Sequence, residues 1–240
     1  LISYSRVTGR VLANAGGNVG GLVGIQRGSY STVVQCSATG EVRAVDWPVT
    51  NQGQTVGGLV GYAYDGVIAM SWSSGNVVVS GTNPSLFIAA GGLVGRVLNT
   101  RLTNTYSRSA VSVSGTIAPT MNSVPRGAAS LVGALWPAAD NPAFSPPAIE
   151  NSYATGRVTV TDRTMLLGGL VGQYTSPMIG VIHNCYWDTE ASGVATSVNS
   201  TAGNGATGRT TAQLQPATPF TGWNGTDVWL FTAGMYPRLR

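Results

Sequence analysis

The sequence contains little charge and no lysine. Only 9% of its 240 residues are charged, and all 13 basic residues are arginines spread singly from Arg6 to Arg240. Average globular domains carry about 25% charged residues, and nucleic-acid-binding domains gather basic side chains on one face among aromatic ones. Although the net charge is +4, the lack of a basic cluster argues against nucleic-acid binding.

Cysteine and long apolar segments are also scarce. The two cysteines, Cys36 and Cys185, lie far apart in the chain and lack the spacing of metal ligands. No apolar run approaches the ~20 residues that a transmembrane helix needs, so we expect no membrane insertion. The sequence opens inside a repeat rather than with an export signal, and we therefore expect a longer parent chain.

Motifs of pocket-type enzymes are missing as well. His183 is the only histidine, and its predicted neighbours in the adjacent repeat, Ser152 and Thr159, do not make a catalytic arrangement. A position on the surface is the simpler interpretation. HExxH, GxSxG, Walker and calcium-loop patterns do not occur. We expect no metal and no cofactor.

The nine acidic residues do not form an obvious acid–base pair. Asp188 and Glu190 fall where the repeats end. Asp46 and Asp162 occupy one corner three coils apart, which is about 14 Å at ~4.8 Å per coil, too far for a glycosidase. We therefore expect no catalysis, with a glycan-degrading β-helix enzyme as an alternative.

Glycine and aliphatic residues dominate instead. The chain has 33 glycines and 43% hydrophobic residues, which favours β-structure with frequent turns over disorder. A Gly-Gly-Leu-Val-Gly unit recurs four times, and Ala129-Ser130-Leu131-Val132-Gly133 is a degenerate fifth copy. Spacings of 34 to 39 residues indicate a repeat architecture. The central residues of the five copies are Leu22, Leu59, Leu93, Leu131 and Leu170.

Further columns align around this unit. A Val-x-Val alternation precedes it, and an aliphatic residue, a small polar residue and an aromatic residue follow it in that order. Alternation with a period of two places one face of a strand inward. We predict an all-β parallel β-helix, or β-solenoid, of about five coils with three short strands per repeat. The aromatic column is predicted to contain Tyr4, Trp72, Tyr106, Tyr153 and Tyr186, with Ser37 in the second repeat.

The repeat pattern ends after Tyr186. We predict solenoid repeats in residues 1–186 and a C-terminal capping segment in residues 187–240, because the open edge of a solenoid has to be covered. The five leucines should form one buried ladder with steps of ~4.8 Å. Cys36 and Cys185 fall in the small polar column about 19 Å apart, so we expect no disulfide between them.

Three repeats carry long connections at one corner of the predicted coil. These are residues 45–56, 80–90 and 114–128, and the fourth repeat has a second, proline-rich insertion at 134–148. Such insertions often form a binding surface, although loops also vary in length at little cost. We expect these connections to form a lateral ridge, and any partner should contact this ridge or residues 134–148. The residues predicted to contact a partner, with structural packing as the alternative for the aromatic ones, are Trp47, Tyr62, Tyr64, Arg126, Trp136 and Phe144.

The segment Asn-Ser-Tyr-Ala-Thr-Gly-Arg-Val at 151–158, followed by the glycine unit at 168–172, resembles the GLUG motif of bacterial surface proteins. This motif recurs in filamentous-haemagglutinin-like exoproteins of two-partner secretion. The resemblance implies a secreted or cell-surface adhesin segment that binds a glycan or protein on another cell or in the matrix, or presents other domains, without catalysis. A purely structural spacer is the first alternative.

Overall fold

The computed structural model describes residues 1–14, 17–45, 53–81, 87–114, 126–136, 149–174, 182–198 and 205–240. Over these ranges the chain forms a parallel β-solenoid of about four turns with almost no helix. The predicted fold class is therefore confirmed. The prediction of about five coils counted the repeats, and the structure shows why the numbers differ. Two of its sheets have five strands each, and five stacked strands are separated by only four full turns.

Every turn contributes to four parallel sheets, which we call the valine, inner, long and aromatic sheets in the order in which the chain enters them. The valine sheet contains β3 (Val11–Ala13), β7 (Val42–Val45), β11 (Val77–Ser80), β15 (Val111–Val113) and β20 (Val158–Val160). The inner sheet contains β4 (Gly17–Gly20), β8 (Gln54–Gly57), β12 (Ile88–Gly91), β16 (Arg126–Ala129) and β21 (Leu166–Gly168).

The other two sheets extend further along the solenoid. The long sheet contains β1 (Ile2–Ser3), β5 (Val23–Val34), β9 (Val60–Ala69), β13 (Val94–Thr103), β17 (Val132–Trp136), β18 (Ile149–Glu150), β22 (Val171–Tyr174) and β23 (Ile182–His183). The aromatic sheet contains β2 (Arg6–Val7), β6 (Ser37–Ala38), β10 (Trp72–Ser73), β14 (Tyr106–Ser107), β19 (Tyr153–Ala154), β24 (Cys185–Asp188) and β25 (Ala206–Arg209).

The turn is thus divided differently from the predicted three strands. The leucine-valine strand and the following aliphatic strand run together as one strand of 10 to 12 residues in β5, β9 and β13. Two further strands, those of the inner and aromatic sheets, flank this long strand. The inner strands were missed because their mixed Gly, Ala and Thr content does not alternate between polar and apolar residues.

The glycine unit forms the corner between the inner and long sheets. A Cβ on Gly95 would lie 2.5 Å from the backbone nitrogen of Val56 and 2.6 Å from the carbonyl oxygen of Gly61. Backbones approach closely here, so only glycine fits. The degenerate copy at 129–133 keeps the same pairing, because the Leu93 N–H donates to the Leu131 carbonyl at 2.9 Å. The Ser130 hydroxyl in that copy donates to the Gly156 carbonyl.

A second corner, between the long and aromatic sheets, is built on one left-handed residue per turn. The residues at this position have φ between 47° and 53°, and they are Tyr4, Gln35, Met70, Asn104, Asn151 and Asn184. Asparagine tolerates this conformation better than other non-glycine residues. Tyr4 therefore does not belong to the aromatic column as predicted. Because Ile2 pairs with Val33, Arg6 is the residue that lies beside Ser37 in the aromatic sheet.

Two apolar clusters fill the interior. One joins the long and aromatic sheets, and it contains the fully buried Leu59, Leu93, Leu131 and Leu170, with Leu22 packed against it. The other joins the valine and inner sheets. Stacked repeats thus bury continuous columns that no single repeat could bury.

The small polar column supports the left-handed corner. Several of its side chains donate to the carbonyl two residues earlier, as Ser71 does to Ala69 at 2.7 Å and Cys185 to His183 at 3.1 Å. The Thr105 hydroxyl instead shares a hydrogen bond with the Ser152 hydroxyl. Cys36 and Cys185 are both buried and free. They occupy this column in different turns, four strand spacings or about 19 Å apart.

The segment after Tyr186 covers both the end and one flank of the solenoid. At the end, the Trp187 indole packs into the first cluster and donates to the Val194 carbonyl at 2.9 Å. This part includes α1 (Thr189–Ser192) and β25. The chain then turns back through a 3-10 helix (Ala212–Leu214) and the antiparallel pair β26 (Trp229–Thr232) and β27 (Met235–Leu239).

The returning segment packs on the outside of the aromatic sheet. Trp72, Tyr106 and Tyr153 stack one above another with ring centroids 5.1 to 5.4 Å apart. Trp229 packs on Tyr106 and Tyr153 and donates to the Asn104 side chain at 3.1 Å. These rings form a third apolar cluster. The aromatic column is therefore largely covered by the chain itself.

Candidate functional site

A compact group of aromatic rings and one arginine lies on the long sheet and beside the inner sheet. We call it the aromatic–arginine cluster, and it consists of Tyr62, Tyr64, Phe87, Arg96 and Trp136. All five residues are half-buried. In contrast to Tyr106 and Tyr153 of the aromatic sheet, these side chains keep part of their surface open to solvent.

Strand pairing brings four of these residues together from three successive turns. Tyr62 of β9 pairs with Arg96 of β13, while Leu98, two residues after Arg96, pairs with both Tyr64 and Trp136. Residues two apart on a strand point to the same face. The cluster therefore depends on the alignment of neighbouring turns rather than on a local sequence motif.

The Arg96 guanidinium is the centre of the cluster. Its Cζ atom lies 4.4 Å from the ring centroid of Trp136, 5.0 Å from that of Tyr62 and 5.9 Å from that of Phe87. Contacts of this kind are worth about 0.5–2 kcal/mol each. Tyr62 and Tyr64 stack at 6.2 Å, and the Arg27 guanidinium lies 5.5 Å from the Tyr64 ring.

Burial dominates the electrostatics of this group. Desolvation lowers the pKa of Arg96 from its usual value, and the nearby Tyr62 partly opposes this effect. Burial likewise raises the pKa of Tyr62, against the opposing field of Arg96. The Arg96 Nε is buried without a hydrogen-bond partner in the described part of the chain. Arg96 is thus a cation in a poorly solvated, aromatic environment.

The remaining residues predicted to contact a partner have different positions. Arg126 begins β16, and its backbone N–H donates to the side chain of Gln173, which continues the column of Tyr62 and Arg96. Arg126 therefore borders the cluster. Trp47 and Phe144 lie outside the described residues, as do 46–52, 82–86, 115–125 and 137–148, so the predicted lateral ridge stays a prediction.

The described residues do show where the three long connections start and end. Each leaves a valine strand and enters an inner strand, which places all three at one corner. Their predicted bounds were too wide, however. Gln54–Gly57, Ile88–Gly91 and Arg126–Ala129 are strands of the inner sheet rather than loop, and Ala128 is fully buried in the second cluster.

Acidic residues that could suggest catalysis have structural partners. Asp188 is buried and caps α1, accepting from the backbone of Glu190 and Ala191 at 2.9 and 2.8 Å. Its other oxygen accepts from the Tyr236 hydroxyl at 2.6 Å. Asp162 accepts from the Thr164 N–H at 2.8 Å. His183 is exposed beside Glu150 on the long sheet.

Sequence reasoning missed the centre of the cluster. Arg96 and Phe87 attracted no attention because neither belongs to a recurring column, and Arg27 was one scattered arginine among many. A signal existed: Arg96 stands two residues after Val94, as Tyr62 does after Val60. Aligning the turns on that valine would have placed the arginine beside the tyrosine.

Comparison of the chain with protein-family models, curated proteins and solved structures yields no match. Among the described residues, no helix has the length and apolar character needed to cross a membrane. The same residues contain no group of three or more side chains suited to holding a metal ion. The arguments for a function therefore rest on the sequence and the geometry.

Proposed function

We propose that this chain is a secreted or cell-surface segment of a bacterial exoprotein of the GLUG type, and that it acts as an adhesin without catalysis. Its partner is a glycan, bound at the aromatic–arginine cluster. The observation that carries the proposal is the gathering of the half-buried rings of Tyr62, Tyr64 and Trp136 around Arg96.

The chemistry of the cluster suits a sugar. Aromatic side chains combine an apolar face with a polar edge, which is the character of residues that dominate recognition surfaces. A pyranose ring presents apolar C–H groups on its faces and hydroxyls around its rim. Half-buried rings held by neighbouring strands lose little conformational freedom when they bind, which favours affinity.

The position of the cluster also supports adhesion. Phe87 directly follows residues 82–86, and Trp136 directly precedes residues 137–148. The cluster thus lies where two insertions join the solenoid, and loops on a rigid repeat scaffold are frequent carriers of recognition. A spacer would need neither the insertions nor the exposed rings.

A glycan array probed with the labelled chain tests this proposal. Tyr64→Ala and Trp136→Ala should each weaken binding several-fold, because each removes one stacking surface. Tyr30→Ala is the matched control, since Tyr30 is 95% exposed and outside the cluster. Equal signals from all three variants would contradict the proposal. If the wild-type chain bound neither glycans nor cells, the structural spacer would be the better function.

A further inference from the structure

Within the described residues, Arg96 at the centre of the cluster forms no ion pair. The ion pairs found in the described part of the chain join Arg10 and Arg43 to Glu41, and Arg101 to Glu150. None of them involves Arg96 or Arg27. The Arg96 guanidinium is half-buried among aromatic rings, and this partial burial favours pairing with an anion.

The described residues place one carboxylate near the cluster, and it has a hydrogen-bond partner. Asp65 follows Tyr64 and contributes to the raised pKa of Tyr62. Its Oδ1 accepts a hydrogen bond of 2.6 Å from the Asn99 side chain. Asp65 forms no ion pair with Arg27 or Arg96 within the described residues. Among the described residues, Arg27 and Arg96 therefore bring more positive charge to the cluster than Asp65 brings negative charge.

We propose that the glycan bound at the cluster carries an anionic group, and that this group pairs with the Arg96 guanidinium. The proposal rests on the function proposed above. A partly desolvated cation binds an anion more strongly than an exposed one does, because the local dielectric constant is low. Guanidinium N–H groups match the geometry of a carboxylate or sulfate group. The sugar ring stacks on Tyr64 or Trp136 while its anion faces Arg96.

Two matched pairs of ligands separate the contribution of the anionic group to binding from that of the sugar ring. Oligogalacturonate is compared with its neutral methyl ester, and dextran sulfate with dextran, by calorimetric titration of the full chain. We expect at least one anionic member to bind about tenfold more tightly than its neutral counterpart. The pair that shows this preference identifies the anion as a carboxylate or a sulfate ester.

Three substitutions test the role of the arginine. Arg96→Gln should remove most of the roughly tenfold preference for the anionic ligand, and Arg96→Lys should restore part of it. If Arg96→Gln fails to fold, Arg27→Gln replaces it, because Arg27 is exposed and its loss should also reduce the preference for the anionic ligand. Arg101→Gln is the control, because it removes the same charge from the same sheet at a residue already paired with Glu150.

The results distinguish this inference from the proposed function. The inference would be overturned if charged and neutral ligands bound equally and Arg96→Gln had no effect. Glycan binding would remain supported if Trp136→Ala still lost binding in that case. Absence of binding to every ligand would overturn both. A loss that is equal for Arg96→Gln and Arg101→Gln would show general charge attraction and also overturn the inference.

Discussion

At the scale of single residues, the small polar column shows how one side chain serves the corner of each turn. Serine, threonine and cysteine all occur there, and Ser71, Ser152 and Cys185 each donate to the carbonyl two residues earlier. They differ in acidity, which makes the column testable. Burial raises the pKa of the Cys185 thiol to about 12, from a value of 9.0 for an ordinary thiol.

This shift predicts a loss of stability at alkaline pH. Above pH 9 the unfolded thiol loses its proton while the folded thiol keeps it, so the unfolded state binds fewer protons and the free energy of unfolding falls as pH rises towards 12. Cys185→Ser keeps the hydrogen bond but removes this titration. We measure the free energy of unfolding by urea titration at several pH values between 9 and 11. Plotted against pH, it should fall less steeply for Cys185→Ser than for the wild-type chain, by up to about 1.4 kcal/mol per pH unit. Parallel curves for the two proteins would contradict the prediction, since all tyrosines are common to both.

At the scale of secondary-structure elements, the C-terminal segment depends on Trp229. Its side chain is fully buried, lies 4.4 Å from the Trp223 ring and donates to Asn104. Trp229→Ala should destabilise this segment by about 3–5 kcal/mol, as expected for a large cavity. Urea unfolding followed by tryptophan fluorescence measures the loss. Tyr30→Ala should change stability by less than about 0.5 kcal/mol, and an equally small effect of Trp229→Ala would show that the segment does not rely on this contact.

The elements also show what a sequence can predict. The Val-x-Val strands and the leucine column follow from periodicity alone, because residues that repeat every turn must stack. The return of β26 and β27 along the aromatic sheet could not be predicted, since this segment repeats nothing and its contacts with that sheet are long-range. Tyr4 was misplaced for a related reason: Ser3-Tyr4 copies the Ser152-Tyr153 pattern, but pairing of Ile2 with Val33 decides its position.

The same limit applies to the candidate site. Tyr62, Tyr64 and Trp136 were identified as exposed aromatic residues, yet their contact through Arg96 depends on which residues of successive turns pair. Connections of different length separate those turns, so the sequence of a single repeat does not predict the cluster. The glycine pattern predicts the positions of the corners, whereas the position of the site depends on which strand residues pair between the corners.

At the scale of the whole molecule, a solenoid core should be independent of the insertions that leave its corners. The fifth repeat joins β20 to β21 with residues 161–165, and the Thr161 N–H donates to the Val113 carbonyl just as the Ser114 N–H donates to the Val79 carbonyl. Replacing residues 114–125 with the sequence of 161–165 therefore leaves every described strand in place. Shortening a loop changes its closure entropy by only about 0.6 kcal/mol per twofold change in length.

We predict that this replacement preserves the far-UV circular dichroism spectrum and shifts Tm by only about 2–4 °C. Removing residues 114–128 instead deletes most of β16, including Ala128 of the second core cluster. It also breaks the pairing of β16 with β12 and β21, so its Tm should fall much further. The comparison is made by thermal unfolding of both variants beside the wild-type chain. If the two deletions had equal effects, the inner sheet would not be part of the stabilising core, and the boundary between scaffold and insertion would have to be moved.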